Sequence, residues 1–272
     1  MNDHAHRESG KYGLLQRAVV TGFSAAVAVW ITWFITHLPW VGLSEKTSMP
    51  LLLGAWTGAT LPHLFWAGKR TSILAGMLSG LICAAVSLMI LGSKIAPDPA
   101  AAVGTPGSAP SVMLVVPAFL LLGATIGMLS GIFAGVVSQG IHPDRSADES
   151  HLARFAAVTA FAITPLLVVG GLVTSTSSGM AFPDWPTSAG LNMLLYPLGP
   201  RSEPGKFLEH SHRLFGMLVG LISLVLLVWV LLAEKRRWVK VLTGIAFVFV
   251  CAQGLSLIHI SEPTRLRRIS YA

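Results

Sequence analysis

The chain has 272 residues, of which 53% are hydrophobic and 11% are charged, and its mean hydropathy is +0.68. A soluble domain is normally about 25% charged, so this composition excludes an ordinary water-soluble protein. It also excludes disorder, which needs low hydrophobicity and high net charge. Cys83 and Cys251 both lie in apolar runs, so they indicate no disulfide framework and leave the redox compartment open.

Seven stretches are long and apolar enough to span a membrane, which takes about 20 apolar residues per helix. The sequence therefore predicts an all-α fold, a polytopic integral membrane bundle of about seven transmembrane helices. The second stretch is the shortest and contains Pro62. The predicted spans are roughly Ala18–Leu38, Leu51–Ala67, Ile73–Leu91, Val112–Val137, Phe155–Val173, Leu214–Leu232 and Val239–Leu257.

The formal charge of +7 could indicate nucleic-acid binding, but the placement of the basic residues decides against it. With a cytoplasmic N-terminus, the inside segments hold eleven Lys and Arg residues and the outside segments hold four. Short cytoplasmic loops carry an excess of Lys and Arg, so this asymmetry predicts that the N-terminus is cytoplasmic. The basic excess is therefore a membrane-orientation signal, and no nucleic-acid partner is expected.

The first apolar run is a membrane anchor on this interpretation. Its length of about 20 residues exceeds the roughly 7–15 residues of a signal-peptide core, and further spans follow it. The leader before it contains Asp3 and Glu8, whereas mitochondrial transit peptides are poor in acidic residues. We therefore expect a multi-pass protein of the bacterial inner (cytoplasmic) membrane.

The longest polar cytoplasmic stretch between spans, Gln139–Arg154, predicts a boundary after residue 150. Residues 1–150 form a four-helix part to which the sequence assigns no function. Glycine lets helix backbones approach closely in lipid, so we expect the glycines spaced four apart in this part to pack its helices. These are Gly54 and Gly58, Gly76 and Gly80, and the series Gly123, Gly127, Gly131 and Gly135. The loop Gly92–Ser111, rich in Pro, Ala and Gly, is expected to be a flexible external linker.

An external loop follows the fifth span and reads LVTSTSSGMAFPDWPTSAGLNMLLYPLGPRSEPGKF. Its five prolines exclude a regular helix. Asp184 lies between a proline and a tryptophan, where its carboxylate can accept backbone N–H groups in a turn. Trp185 and Tyr196 suit the membrane interface. On these residues alone, the loop could simply be an ordered cap over the mouth of a bundle.

The segment Lys206–Gly216, KFLEHSHRLFG, leads directly into an apolar helix. Glu209 and His212 are three residues apart and so share a helical face, whereas His210 points elsewhere. Such groups at the mouth of a membrane helix must face protein or water. A neutral imidazole in a bundle can ligate heme iron, and a carboxylate one turn away could relay protons. Arg213 could bind a heme propionate.

Two other interpretations of this segment remain open on spacing alone. Glu209, His210 and Arg213 could form a solvated helix cap. The Glu-x-x-His spacing also occurs in di-iron bundles, but those need further carboxylates that the other spans do not carry.

The string GGLVTSTSSGMAFPDWP at Gly170–Pro186, together with Glu209-His-Ser-His212-Arg213, resembles the heme A synthase family over roughly Phe155–Gly254. The resemblance implies an integral membrane oxidoreductase that converts the C8 methyl of heme O to a formyl group for cytochrome oxidase. Oxygen or water would supply the formyl oxygen. It also implies eight helices in two halves, each with two histidines for a heme iron, one half holding substrate heme O and the other heme B.

The resemblance assigns roles to individual residues. It implies that His212 is the first axial heme-iron ligand of the N-terminal half and that the neighbouring Glu209 is catalytic. The role of Arg213 as a heme-binding residue is expected from its chemistry alone. Thr174 stands where many members have Arg, and Phe182 where many have Cys, so no loop disulfide is expected. The implied partners are the lipid bilayer, heme O, and a heme O synthase or oxidase assembly protein.

The last residues, LSLIHISEPTRLRRISYA, depart from the family pattern, in which further helices and histidines follow Gly254. They resemble a translated sequencing adapter and place arginines outside, where Arg is disfavoured. We therefore expect residues 255–272 to be a non-native tail in which His259 is no ligand. Residues 151–254 would be a partial heme A synthase-like domain, inactive as a fragment. The alternatives are a non-enzymatic membrane scaffold or transporter-like subunit, and a heme-binding electron-transfer cytochrome.

Overall fold

The structure, a computed structural model, describes residues 2–65, 69–95, 112–138, 151–182, 184, 187–188, 190–196 and 203–269. Helices dominate this part of the chain, and the predicted all-α polytopic fold class is confirmed. The helices are α1 (Asn2–His37), α2 (Glu45–Leu64), α3 (Lys69–Ile95), α4 (Val112–Val137), α5 (His151–Ser175), α6 (Pro204–Ala233) and α7 (Arg237–Ile269). Between α5 and α6, β1 (Thr187–Ser188) pairs antiparallel with β2 (Leu191–Asn192), and a 3-10 turn follows at Met193–Leu195.

Within the described residues, six helices are long and apolar enough to cross a membrane, all of them except α2. The composition of α2 explains the difference, because it begins with Glu45 and contains two prolines. Its path still runs back along α1. In the middle of α1, Arg17 Nη1 donates a hydrogen bond of 3.0 Å to the carbonyl oxygen of His63, near the end of α2. The chain is a multi-pass membrane protein in which α2 returns along the helix that precedes it.

Several predicted boundaries differ from the observed ones. Helix α1 begins at Asn2, well before the predicted apolar run, and α7 continues as a helix to Ile269. Of the predicted linker Gly92–Ser111, residues 96–111 lie outside the described part, as do residues 139–150 of the predicted polar boundary. That residues 255–272 are a non-native tail stays a prediction.

The chain divides into two compact units. The first comprises residues 1–37 and 41–158, and the second comprises residues 38–40 and 159–272. In the first unit Trp30 is fully buried, and Phe23 packs edge-to-face on Phe155 with 5.4 Å between ring centroids. The roles assigned to residues 1–150, 151–254 and 255–272 stay predictions.

The predicted packing role of glycine is confirmed between α3 and α4. A Cβ atom added to Gly76 would overlap the carbonyl oxygen of Gly127, and one added to Gly80 would overlap the carbonyl oxygen of Gly123. At Gly131 an added Cβ would overlap backbone atoms at the start of α3 in the same way. Backbone cannot move aside as a flexible side chain can, so these positions admit hydrogen alone.

The same prediction was wrong for α2. Nothing lies within 4 Å of a Cβ added to Gly54 or Gly58, and both residues are exposed. The buried face of α2 is a different one, at Ser48, Trp56, Thr60 and Leu64. Four-residue glycine spacing therefore permits close packing, but it does not decide which face of a helix makes the contact.

The short link between α6 and α7 holds an exposed ion pair. The Glu234 carboxylate accepts a hydrogen bond of 2.9 Å from Arg236 Nη2 and others from the backbone N–H groups of Lys235 and Arg236. These bonds lower the pKa of Glu234 to about 2, and the hydrogen bond from the Arg236 side chain has the largest effect. This pair has no contact with the residues discussed below and therefore serves as a control for removing an arginine.

Candidate functional site

Helix α6 carries the ionisable segment predicted from the sequence. It begins at Pro204, whose fixed φ and missing N–H suit the first helical position. The residues that follow the first turn are buried, and Glu209 and His210 keep only 6% and 1% of their surface exposed. A solvated helix cap is therefore excluded for these two residues, which face protein instead.

Both oxygens of the Glu209 carboxylate are occupied. Oε2 accepts the backbone N–H of Phe182 at 2.9 Å, and Oε1 accepts Arg213 Nη2 at 2.5 Å. The side chains of Glu209 and Arg213 are 7% and 13% exposed, so this ion pair is largely shielded from water. Glu209 thus joins α6 to the start of the α5–α6 loop, by which we mean residues 176–203.

The second half of the Arg213 guanidinium binds the same loop. Nη1 donates to the carbonyl oxygens of Asp184 and Thr187, at 3.0 Å each. The Cζ atom lies 5.3 Å from the ring centroid of Phe182, within the range of a cation–π contact. Arg213 is therefore held by protein acceptors, and its contact with a heme propionate stays a prediction.

Asp184 orders the turn that presents these carbonyl groups. Its Oδ2 accepts the backbone N–H of Gly190 at 2.7 Å and the hydroxyl of Thr187 at 2.5 Å. Gly190 has a φ of +78°, which favours glycine because it has no Cβ. The prediction that Asp184 accepts a backbone N–H in a turn is confirmed. Trp185, predicted to lie at the interface, is outside the described residues.

His210 faces the loop from the same helix. Its Nδ1 lies 3.2 Å from the Ser188 hydroxyl, and its ring centroid is 5.2 Å from that of Tyr196. Phe182 packs edge-to-face on Tyr196 at 4.8 Å and is 3% exposed. Where the resemblance gives many members a cysteine, this chain thus fixes the loop by aromatic packing.

His212 lies against α5. A Cβ added to Gly170 would be 3.0 Å from its Cε1 and 3.4 Å from its Nδ1, so any side chain at this position would press on the ring. The backbone of Leu166, one helical turn before Gly170, also lies close to the imidazole. Within the part of the chain that the structure describes, the buried Nδ1 atom has no hydrogen-bond partner. A neutral imidazole nitrogen that carries a lone pair is the form of histidine that binds metals.

The residues present fit a heme as substrate. A porphyrin supplies its own equatorial nitrogens and takes axial imidazole from the protein, which a buried nitrogen without a partner can provide. A di-iron centre does not fit, because no three His, Cys, Asp or Glu side chains among the described residues are grouped for a metal ion. Glu209 is close enough to His212 to interact with it electrostatically.

A methyl group at Gly170 tests the contact with the imidazole. We expect Gly170→Ala to push the His212 ring by a few tenths of an ångström and so to weaken heme binding by the purified chain. Gly171→Ala is the matched control, since nothing lies within 4 Å of a Cβ at that position. Heme titrations followed by absorbance measure both variants. Equal affinities in the two variants would contradict the assigned contact.

Some residues of the site carried no assigned role in the sequence interpretation. Gly170 belongs to the family-like string and lies one helical turn after Leu166. This spacing was the signal in the sequence that one side of α5 could contact the His212 ring. For Ser188, Tyr196 and the buried packing of Phe182, no spacing rule points to a contact with α6. Those contacts depend on the path of the loop.

Comparison with known proteins finds relatives for the part of the chain that contains this site. Residues 153–256 match the COX15-CtaA family, described as a cytochrome oxidase assembly protein. The heme A synthase of Exiguobacterium sibiricum is 36% identical over 106 residues, which cover 38% of this chain and 34% of that protein. Residues 153–256 are therefore similar to part of the heme A synthases. This segment contains Gly170, Glu209, His212 and Arg213.

Two further relatives have the same name. The heme A synthase of another Exiguobacterium species is 34% identical over 106 residues, covering 38% of this chain and 34% of that protein. That of Geobacillus kaustophilus is 36% identical over 103 residues, covering 37% and 31%. The chain spans about a third of the length of these curated relatives. No solved structure matches the chain.

Proposed function

We propose that residues 153–256 form a heme A synthase segment that binds heme O, and that His212 is an axial ligand of the heme iron. The reaction proposed for the protein is oxidation of the C8 methyl of heme O to a formyl group in heme A biosynthesis. The methyl loses two hydrogen atoms and gains one oxygen atom, which is a four-electron oxidation. If dioxygen is the oxidant, its second oxygen atom leaves as water; if water supplies the oxygen, an external electron acceptor takes the four electrons and four protons are released. The heme iron would supply the redox chemistry when heme is bound.

The observation that carries this proposal is the buried Nδ1 of His212, which has no hydrogen-bond partner among the described residues. Leaving a buried polar atom unsatisfied costs about 1–3 kcal/mol, so such an atom needs an explanation. The iron of a bound heme would give this nitrogen atom a partner. The family match supports the same chemistry, because the curated relatives are heme A synthases.

The other residues of the site have supporting roles in this proposal. Gly170 leaves room for the imidazole. Glu209 would act beside the bound heme as an acid or base. Each of its oxygens accepts one hydrogen bond and keeps a further lone pair, with which the carboxylate could accept a proton from substrate.

Heme binding is the readout that suits this chain, since it spans about a third of the length of its relatives. The chain is purified in detergent from cells that make heme O, and its heme is extracted and weighed by mass spectrometry. We expect bound heme O and no heme A formation by the chain alone. A chain that purifies folded without heme, and does not take up added heme O, would favour the membrane scaffold and overturn the proposal. If a longer protein containing this segment leaves every methyl unchanged, it is an electron-transfer cytochrome.

The location and partners follow the same proposal. We propose that the protein lies in the inner membrane of a bacterium, with the site near its outer face. A heme O synthase would deliver the substrate there, and an oxidase assembly protein would receive the product. Cell fractionation and crosslinking through introduced photoreactive residues in the α5–α6 loop test these two points.

A further inference from the structure

The two family-like strings of the sequence are in direct contact in the structure. The first string contains Phe182 and Asp184, and the second contains Glu209 and Arg213. Two hydrogen bonds join the strings themselves, from the Phe182 N–H to Glu209 and from Arg213 to the carbonyl of Asp184. A third runs from Arg213 to the carbonyl of Thr187, the residue that follows the first string. The two strings therefore form one hydrogen-bonded unit across 27 to 29 residues of sequence separation.

Asp184 and Arg213 have different roles in this unit. The Asp184 side chain does not bind Arg213 in the contacts described; it binds the Thr187 hydroxyl and the Gly190 N–H, and so it closes the turn. The closed turn orients the carbonyl oxygens of Asp184 and Thr187 toward Arg213. The carboxylate thus shapes a cradle of backbone acceptors for the guanidinium.

Arg213 in turn fixes Glu209. A planar guanidinium offers N–H groups in a rigid fork, so the two bonds of Nη1 to the loop determine where Nη2 points. Nη2 points at Glu209 Oε1. Rotation of the Glu209 carboxylate is then restricted from both sides, since Oε2 is held by the Phe182 N–H.

We propose that Asp184 and Arg213 are positioning residues that together hold the Glu209 carboxylate in place beside His212. The order of dependence is Asp184, turn, Arg213, Glu209. What the carboxylate is positioned for rests on the proposed function, whereas the dependence itself is a property of the fold.

Amide hydrogen exchange tests this dependence when each variant is measured at an amide that the substituted residue does not contact. Asp184 does not contact the Phe182 N–H, and Arg213 does not contact the Gly190 N–H in the hydrogen bonds described. We nevertheless expect Asp184→Ala to speed exchange at Phe182, and Arg213→Gln to speed exchange at Gly190, each on the order of tenfold. This is the size expected when hydrogen bonds to a charged group are lost. Arg236→Gln removes an arginine from the exposed Glu234 pair and should change neither site.

A conservative variant and chemical rescue separate positioning from general loss of structure. Arg213→Lys keeps the charge but loses the fork, so it should leave Gly190 exchange fast. Added guanidinium should slow exchange again in Arg213→Gly and have no such effect in Asp184→Ala. Thr187→Val is the milder variant if Asp184→Ala does not fold, because it removes the hydroxyl and keeps the carbonyl; it should also speed exchange at Phe182.

Each variant changing exchange only at its own direct contact would overturn the proposal, and so would full rescue by Arg213→Lys. No heme is added in these measurements. A failure of the heme proposal would leave the effect at the uncontacted amides intact, and the loss of that effect would leave heme binding by His212 standing. The two proposals are therefore tested separately.

Discussion

His212→Ala is expected to lower the affinity of the chain for heme at least about tenfold, the loss that corresponds to about 1.4 kcal/mol. The imidazole is the ligand assigned to the iron, and alanine offers no atom in its place. The change also removes the buried Nδ1, which has no hydrogen-bond partner among the described residues, so it should not destabilise the apoprotein greatly. The effect should therefore appear in binding and not in folding. Absorbance titration with heme measures it.

His210→Ala is the matched control for this experiment. It removes an imidazole two residues away on the same helix, and His210 is more deeply buried than His212. Because the His210 ring contacts Ser188 and Tyr196, its loss should loosen the α5–α6 loop and leave heme affinity within a few-fold of the wild type. Equal heme affinity in His212→Ala and the wild type would contradict the assignment.

Gly80→Ala is expected to have the largest effect on stability. The added methyl would overlap the carbonyl of Gly123, and the nearest Cα of α4, that of Gly127, would be 3.1 Å away. Helices α3 and α4 must therefore separate along their contact. Overpacking typically costs about 1–3 kcal/mol, and contact with backbone places this change at the upper end or beyond it.

Gly58→Ala is the matched control for that change. Nothing lies within 4 Å of a Cβ at Gly58, and alanine favours helix over glycine by about 1 kcal/mol, so this variant should be neutral or slightly stabilising. Thermal unfolding in detergent, followed by circular dichroism, compares the two. A Gly80→Ala protein as stable as Gly58→Ala would show that α3 and α4 do not pack as described.

The helices could be predicted because apolar length alone determines them. Hydropathy gave the spans of α3, α4 and α5 to within a few residues, whereas α6 begins at Pro204, before its predicted start, and α7 continues beyond its predicted end. The short span at Pro62 became α2, the helix that does not meet the hydropathy requirement. Glycine spacing indicated close packing but not its partner. Gly76 and Gly80 meet α4, whereas Gly54 and Gly58 meet nothing, because spacing does not report which face is buried.

The site was less predictable than the fold. Spacing placed Glu209 and His212 on one face, and the turn chemistry of Asp184 was predicted correctly. The position of Arg213 was not, because its partners are backbone carbonyls brought near by the path of the loop. The packing of Phe182 under that guanidinium also depends on tertiary contacts that leave no periodic signal in the sequence.

The most direct test of the account is the identity of the iron ligand. The chain, His212→Gly and His210→Gly are loaded with ferric heme and compared by electron paramagnetic resonance and absorbance, with and without added imidazole. We predict that His212→Gly alone loses the histidine-ligated spectrum and that free imidazole restores it. An unchanged spectrum in His212→Gly would contradict the claim that His212 binds the heme iron.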